Sequence, residues 1–182
     1  MIFGRKKAAW HREVDLLIAG SGGAGLTAAL TAAGAGLSVE LVEKSGQVGG
    51  TTAVSGGVIW IPNNHQMASL GIEDSREDAL TYMTRIADGR SSESLLSTYV
   101  DAAPRMAKAV EALSAIKLSA LAKYPDYHPE FEGGRPGGRS METGLFDTKT
   151  LGEWAPQLRR SAIFGATPMS VAEALEWGVF AN

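Results

Sequence analysis

Val14-Asp15-Leu16-Leu17-Ile18-Ala19-Gly20-Ser21-Gly22-Gly23-Ala24-Gly25 joins an apolar run to a glycine-rich turn. The run reads as a buried strand, and Ala24 to Ala33, rich in Ala and Leu, reads as the helix that follows. Between the two, Gly20, Gly22 and Gly25 set the spacing G-x-G-x-x-G. The first glycine of such a turn permits a backbone path that a β-carbon blocks. The second lets the main chain approach a pyrophosphate, and the third lets the helix lie close to the strand. The free N–H groups of the first helical turn, at Gly23 and Ala24, then face the phosphates with the positive end of the helix dipole. Gly34-Ala35-Gly36 stops the helix, and Leu37-Ser38-Val39-Glu40-Leu41-Val42 forms a second strand ending at Glu43. An acid in that place accepts a hydrogen bond from an adenosine ribose and repels a 2′-phosphate. The stretch reads as a dinucleotide-binding βαβ unit.

In a nicotinamide enzyme the second strand usually leads into another crossover helix. Here Glu43 is followed by Lys44-Ser45-Gly46-Gln47-Val48-Gly49-Gly50-Thr51-Thr52-Ala53-Val54-Ser55-Gly56-Gly57. Two Gly-Gly pairs bracketing small hydroxyl residues let bare backbone and short side chains run along a large flat ligand. At this point the sequence resembles the flavoproteins related to fumarate reductase and succinate dehydrogenase. The wording GGTTAVSGGVIWIPNN is most similar to the 3-ketosteroid dehydrogenases. The resemblance implies FAD, with Glu43 and Lys44 at the ribose and Gly49, Gly50, Thr51, Thr52, Ser55, Gly56 and Gly57 passing the pyrophosphate and flavin. It also implies a dehydrogenase in which a hydride passes from substrate to flavin N5. In the succinate dehydrogenase branch a histidine precedes the small-residue run, and the corresponding position here is Gly50, which implies non-covalent FAD.

The same resemblance assigns one active-site tyrosine to the Tyr-Pro-Asp-Tyr loop, which holds Tyr124 and Tyr127. Tyr127 is favoured as catalytic, with Tyr124 second; packing by hydrogen-bonded phenols is the competing reading of both. A free phenol titrates near about 10, so service as a base at neutral pH requires its pKa to be depressed. Members of the family are much longer, closing the flavin domain with a late segment and inserting a capping domain. The expectation is an α/β, Rossmann-like, three-layer FAD-binding domain with a parallel sheet and helical additions, incomplete at its C-terminus. In that reading residues 1–182 are its N-terminal portion, inactive alone, and an exposed apolar surface marks where the remainder docks. An enoate reductase of the fumarate reductase kind is the alternative chemistry.

Composition narrows the partners. A formal net charge of −3 and a pI near 5.6 point away from nucleic acid. The chain has no cysteine, which excludes disulfides and thiolate metal sites and fits a cytoplasmic location. No apolar run reaches the roughly 18 residues of a membrane span, and the basic Met1–Lys7 start is not read as a leader. His11, His65 and His128 form no metal-ligand spacing, so no metal site is expected. A small molecule, in the steroid class by resemblance, is the expected partner.

The βαβ core is placed at about 13–60, a helical region at about 73–120 and an irregular loop at 123–145. Val58–Ile61 reads as a short strand, with Trp60 in the core. Ser75 with Asp78 imitates a capping box before a helix that buries Ala79, Leu80, Met83, Ile86 and Ala87, and Asp88-Gly89 closes it. A second helix starts at Ser92, and Pro104 is expected to break it and open a third carrying Met106, Ala109, Val110 and Leu113 inward. Arg135 and Arg139, in the glycine-rich loop, read either as ligands of an acidic group or as solvated charges. A last helix is placed near Val171–Trp177.

Overall fold

The computed structural model describes residues 11–161 and 169–178; the Met1–Lys7 start lies outside the described residues. Strands β1 (Leu16–Ala19) and β2 (Val39–Val42) pair in parallel, Leu16 opposite Val39 and Ala19 opposite Val42, with helix α1 (Gly23–Gly34) between them in sequence. Their entry is fixed by Asp15, whose Oδ2 accepts the Ser38 amide at 2.8 Å and the Ser38 hydroxyl at 2.7 Å. Gly25 is required by packing: a β-carbon there would fall deep inside contact with the Gly20 carbonyl oxygen and 3.4 Å from Ile18. Ile18 is buried on the face toward Gly25, while Leu17 (63% exposed) and Val42 (45%) face the other way.

A second sheet, in the order β3–β5–β4, is antiparallel throughout: β3 (Ile59–Trp60), β4 (Leu118–Ala120) and the central β5 (Ser140–Thr143). The sequence reading assigned 118–120 to the helical region and 140–143 to the irregular loop. Ser-Met-Glu-Thr carries no strong strand propensity. It is a strand because both edges are paired and Ser140, Met141 and Glu142 are all buried. The free edge of β4 is closed by a side chain: Gln66 Nε2 donates to the Leu118 carbonyl at 2.6 Å and its Oε1 accepts the Ala120 amide at 2.9 Å.

Helix α2 (Arg76–Ala87) starts at Ser75, whose hydroxyl accepts the Asp78 amide at 3.0 Å, and ends at Asp88 in the left-handed conformation. Helix α3 (Glu93–Leu113) is continuous, and Pro104 lies inside it. The expected break and third helix therefore do not occur. Leu96, Val100, Ala103 and Ala107 form one buried seam across the proline, and burial on both sides outweighs its cost of about 3 kcal/mol. Pro104 has no N–H to give the Val100 carbonyl one turn earlier, and one residue on Arg105 Nε adds a bond to the Asp101 carbonyl at 3.1 Å. The phase also differs from the one expected: Ala107 is fully buried, whereas Leu113 is 41% exposed. The core gathers Ile61, Ala103, Ala107, Leu118 and Met141. Helix α4 (Val171–Glu176) begins with a capping box at Ser170 and Glu173, and its first amides bond to the buried Glu142 carboxylate at 2.6 and 3.1 Å. Among the described residues no helix is long and apolar enough to cross a membrane.

Candidate cofactor crevice and aromatic cleft

At the carboxyl ends of β1 and β2 a crevice of about 690 Å³ is lined by Gly20, Ser21, Gly22, Glu43, Lys44, Gly50, Thr51 and Arg159, with Ala19 and Val42 at its base. Open α/β sheets bind their ligands in this position. Glu43 turns into it. Its Oε2 accepts the Ser21 amide at 2.9 Å and the Ser21 hydroxyl at 2.7 Å, and its Oε1 accepts the Ser45 amide at 3.0 Å. The Ser21 amide and hydroxyl, followed by the Ser45 amide, hold the carboxyl at about 2. Ser21, 2% exposed, also accepts the Gly49 amide at 2.9 Å, so one hydroxyl links the turn, the acid and the returning loop.

The loop lies against the turn because glycine leaves it room. A β-carbon on Gly50 (φ +56°) would stand 3.0 Å from Gly22 Cα, and Gly49 has φ +105°. Thr52 Oγ1 accepts the Gly23 amide at 2.9 Å. Its hydroxyl is thus spent on tying the loop to α1. Ser55 similarly serves its own turn, donating to the Thr52 carbonyl at 2.8 Å and accepting the Gly57 amide at 3.2 Å. Ala24 is exposed on the first turn of α1. Gly23, Gly25, Gly49 and Thr52 shape the crevice, while Gly56 and Gly57 lead out of it toward β3. Ser21, Ser45 and Arg159 were missed in the sequence. The signal for Ser21 was a hydroxyl residue between two glycines; Arg159 left none.

Beyond Gly57 the chain enters an aromatic cleft of about 450 Å³ lined by Val58, Trp60, Tyr82, Met83, Ile86, Tyr99, Tyr124 and Tyr127, among others. Trp60 is half-buried here, stacked on Tyr82 at 5.9 Å and on Tyr99 at 6.2 Å, rather than enclosed in the core. Met83 and Ile86 of α2 line the same cleft, which explains why the apolar face read from sequence is not fully buried. Burial holds the Tyr82 and Tyr99 phenols above the usual range. Tyr127 is 86% exposed.

The irregular loop is anchored from beneath. Arg139 is fully buried, its Nε and Nη2 on Asp74 at 2.9 and 2.6 Å and its Nη1 on Asp126 at 2.8 Å. Asp126 also accepts Trp60 Nε1 at 2.7 Å and the Arg135 amide at 2.9 Å. Arg135 itself pairs with Asp78 at 2.5 Å. Neither arginine is a solvated charge or a ligand waiting for an acid; both are structural, because Asp74, Asp78 and Asp126 from distant segments converge on them. His65 pairs with Glu111 at 3.2 Å, and His128 stacks on Phe131 at 4.6 Å and reaches Glu130 at 3.1 Å.

Residues 15–176 match the family model described as the FAD binding domain. The chain belongs to this FAD-binding family. It is 40% identical over 160 residues to the 3-oxosteroid 1-dehydrogenase of Mycobacterium tuberculosis, covering 88% of this chain and 28% of that protein. The 4-oxocyclohexanecarboxylate 2-dehydrogenase of Sinomonas cyclohexanicum is 37% identical over 167 residues, covering 91% and 29%. The crystal structure of 3-ketosteroid Δ1-dehydrogenase from Sterolibacterium denitrificans in complex with 1,4-androstadiene-3,17-dione superposes with a TM-score of 0.81. It is 41% identical over 88% of this chain and 29% of that one. The chain thus spans under a third of the length of these relatives.

The crevice of this FAD-binding domain fits its cofactor. Helix α1 has no acidic residue in its first turn and no side-chain cap from its N-cap residue, so apart from the Gly23 amide held by Thr52 its first amides and its dipole are left for an anion. Nothing stands within 4 Å of where β-carbons of Gly20 and Gly22 would lie, which leaves open space above the turn.

Proposed function

We propose that the chain provides the FAD-binding part of a cytoplasmic dehydrogenase that desaturates a cyclic ketone of the 3-ketosteroid type. Residues 1–182 are assigned to that one domain. Gly20, Gly22, Gly23, the amide of Ala24, and Gly50 and Thr51 take the pyrophosphate side, Glu43 and Lys44 the ribose, and Ser55 to Gly57 the flavin side. FAD, when bound non-covalently, supplies the acceptor for the hydride that such a substrate releases. Tyr127 takes the proton from the carbon beside the carbonyl, and Tyr124 stands next to it.

The observation that carries this reading is the aromatic cleft reached directly from Gly57, which holds both tyrosines. Its volume falls in the range of small-molecule sites, about 300–1,000 Å³, and its lining of tryptophan, tyrosine and aliphatic side chains suits a flat apolar ring system. The relatives named for a steroid and for a 4-oxocyclohexane acid share a ring ketone, which supports the substrate class.

The test is turnover of 3-ketosteroid and 4-oxocyclohexanecarboxylate with an artificial electron acceptor, beside the flavin spectrum of the purified chain. A flavin spectrum with ketone-dependent acceptor reduction that Tyr127→Phe lowers more than tenfold supports the reading. A flavin-bound chain that oxidises neither ketone while reducing an enoate points to the alternative chemistry. A flavin-bound chain inert to all three is a binding module only.

A further inference from the structure

Arg159 arrives at the dinucleotide crevice from far along the chain. The Val48 amide donates to the Gln157 carbonyl at 2.8 Å and the Arg159 amide to the Val48 carbonyl at 2.9 Å, a parallel bridge that lays this segment along the loop after β2. Leu158 packs where a β-carbon on Gly49 would come within 3.3 Å. The backbone therefore delivers the Arg159 side chain to the crevice wall independently of what its guanidinium binds. Among the described residues that guanidinium makes one long bond, Nη2 to Ser45 Oγ at 3.3 Å, and its buried Nε has no partner. A buried donor of a cation left unpaired is costly, and proteins retain one where a ligand completes it.

Its position identifies the ligand's end. Ser45 donates its amide to Glu43 Oε1, so Arg159 is linked through Ser45 to the acid that marks the ribose side of the crevice. Glu43, held at about 2, stays anionic and opposes any phosphate brought beside it. A guanidinium on the same wall offsets that repulsion and matches phosphate geometry with paired donors. We propose that Arg159 is a cofactor-binding residue that grips the adenosine diphosphate half of FAD, at the phosphate next to the ribose. The assignment rests on the FAD reading above.

The experiment titrates wild type, Arg159→Gln, Arg159→Lys and Arg160→Gln with FAD, ADP and FMN, by flavin fluorescence quenching and calorimetry. Arg159→Gln should weaken FAD and ADP by a similar factor of about 10 to 100, flatten the salt dependence and leave FMN unchanged. Arg159→Lys should recover part of the loss, and Arg160→Gln, which removes an exposed charge one residue on, should bind as wild type. FAD binding by Arg159→Gln within twofold of wild type overturns this assignment while the FAD reading stands. So does an equal loss of FMN and FAD, since that reports a damaged fold. Wild type that binds neither FAD nor ADP overturns the FAD reading and this assignment with it.

Discussion

Replacing Arg139 by methionine keeps most of the side-chain volume and removes the charge at the centre of a buried cluster. Arg139 and Asp74 are fully buried and Asp126 is 2% exposed, so neither carboxylate can be hydrated in place. Breaking a buried pair by deleting one partner costs about 3–5 kcal/mol. Asp74 keeps the Asn63 amide at 2.8 Å, and Asp126 keeps Trp60 Nε1 and the Arg135 amide, which places the expected loss near the lower end, about 3 kcal/mol. With a urea slope of about 2 kcal/mol/M, the midpoint should fall by about 1.5 M. Urea unfolding followed by tryptophan fluorescence measures it, with Trp60 as a reporter bonded to the cluster itself. The triple variant Arg139→Met, Asp74→Asn, Asp126→Asn should be less destabilised than Arg139→Met alone, because the unpaired charges go with their partner. A loss below about 1 kcal/mol for Arg139→Met, or a triple variant worse than the single one, would refute the claim that these charges depend on each other.

Gly25→Ala forces a methyl group into the Gly20 carbonyl, so α1 must separate from β1; an expected loss of about 1–3 kcal/mol in chemical denaturation would come with weakened FAD binding. Glu43 is held at about 2 in the fold, below the ordinary glutamate value of about 4.5, so its contribution to stability is complete above about 4.5 and is lost as the pH falls toward about 2. Glu43→Gln should therefore be less stable at neutral pH yet show a flatter acid limb in that window; an unchanged limb in pH-dependent thermal melts would count against it. Acid precipitation of a flavin-loaded chain should leave all colour in the supernatant, since Gly50 offers no side chain for attachment. Colour retained in the pellet after washing would contradict non-covalent binding.

The first fifty residues were legible because their constraints are local. A run of apolar residues, three glycines at fixed spacing and an acid at the next strand end specify β1, α1, β2 and the placing of Glu43 with no knowledge of the remainder. The Ser75 and Asp88-Gly89 boundaries of α2 were legible for the same reason: caps satisfy amides within a few residues. What failed depends on partners far away in sequence. Pro104 is tolerated because the burial of α3 on both sides of it exceeds a local penalty. The strand β5 exists only because β3 and β4 reach it from either side. Arg139, read locally as either a ligand of an acidic group or a solvated charge, is internal because Asp74, 65 positions away, and Asp126, 13 away, converge on it. Arg159 reaches Ser45 across 114 positions, a proximity that no spacing rule encodes. Sequence determined the cofactor class, since phosphate recognition is done by backbone whose shape neighbouring residues dictate. Tertiary structure decided which charges are structural and which face the crevice, since burial and pairing are properties of segments brought together by the fold.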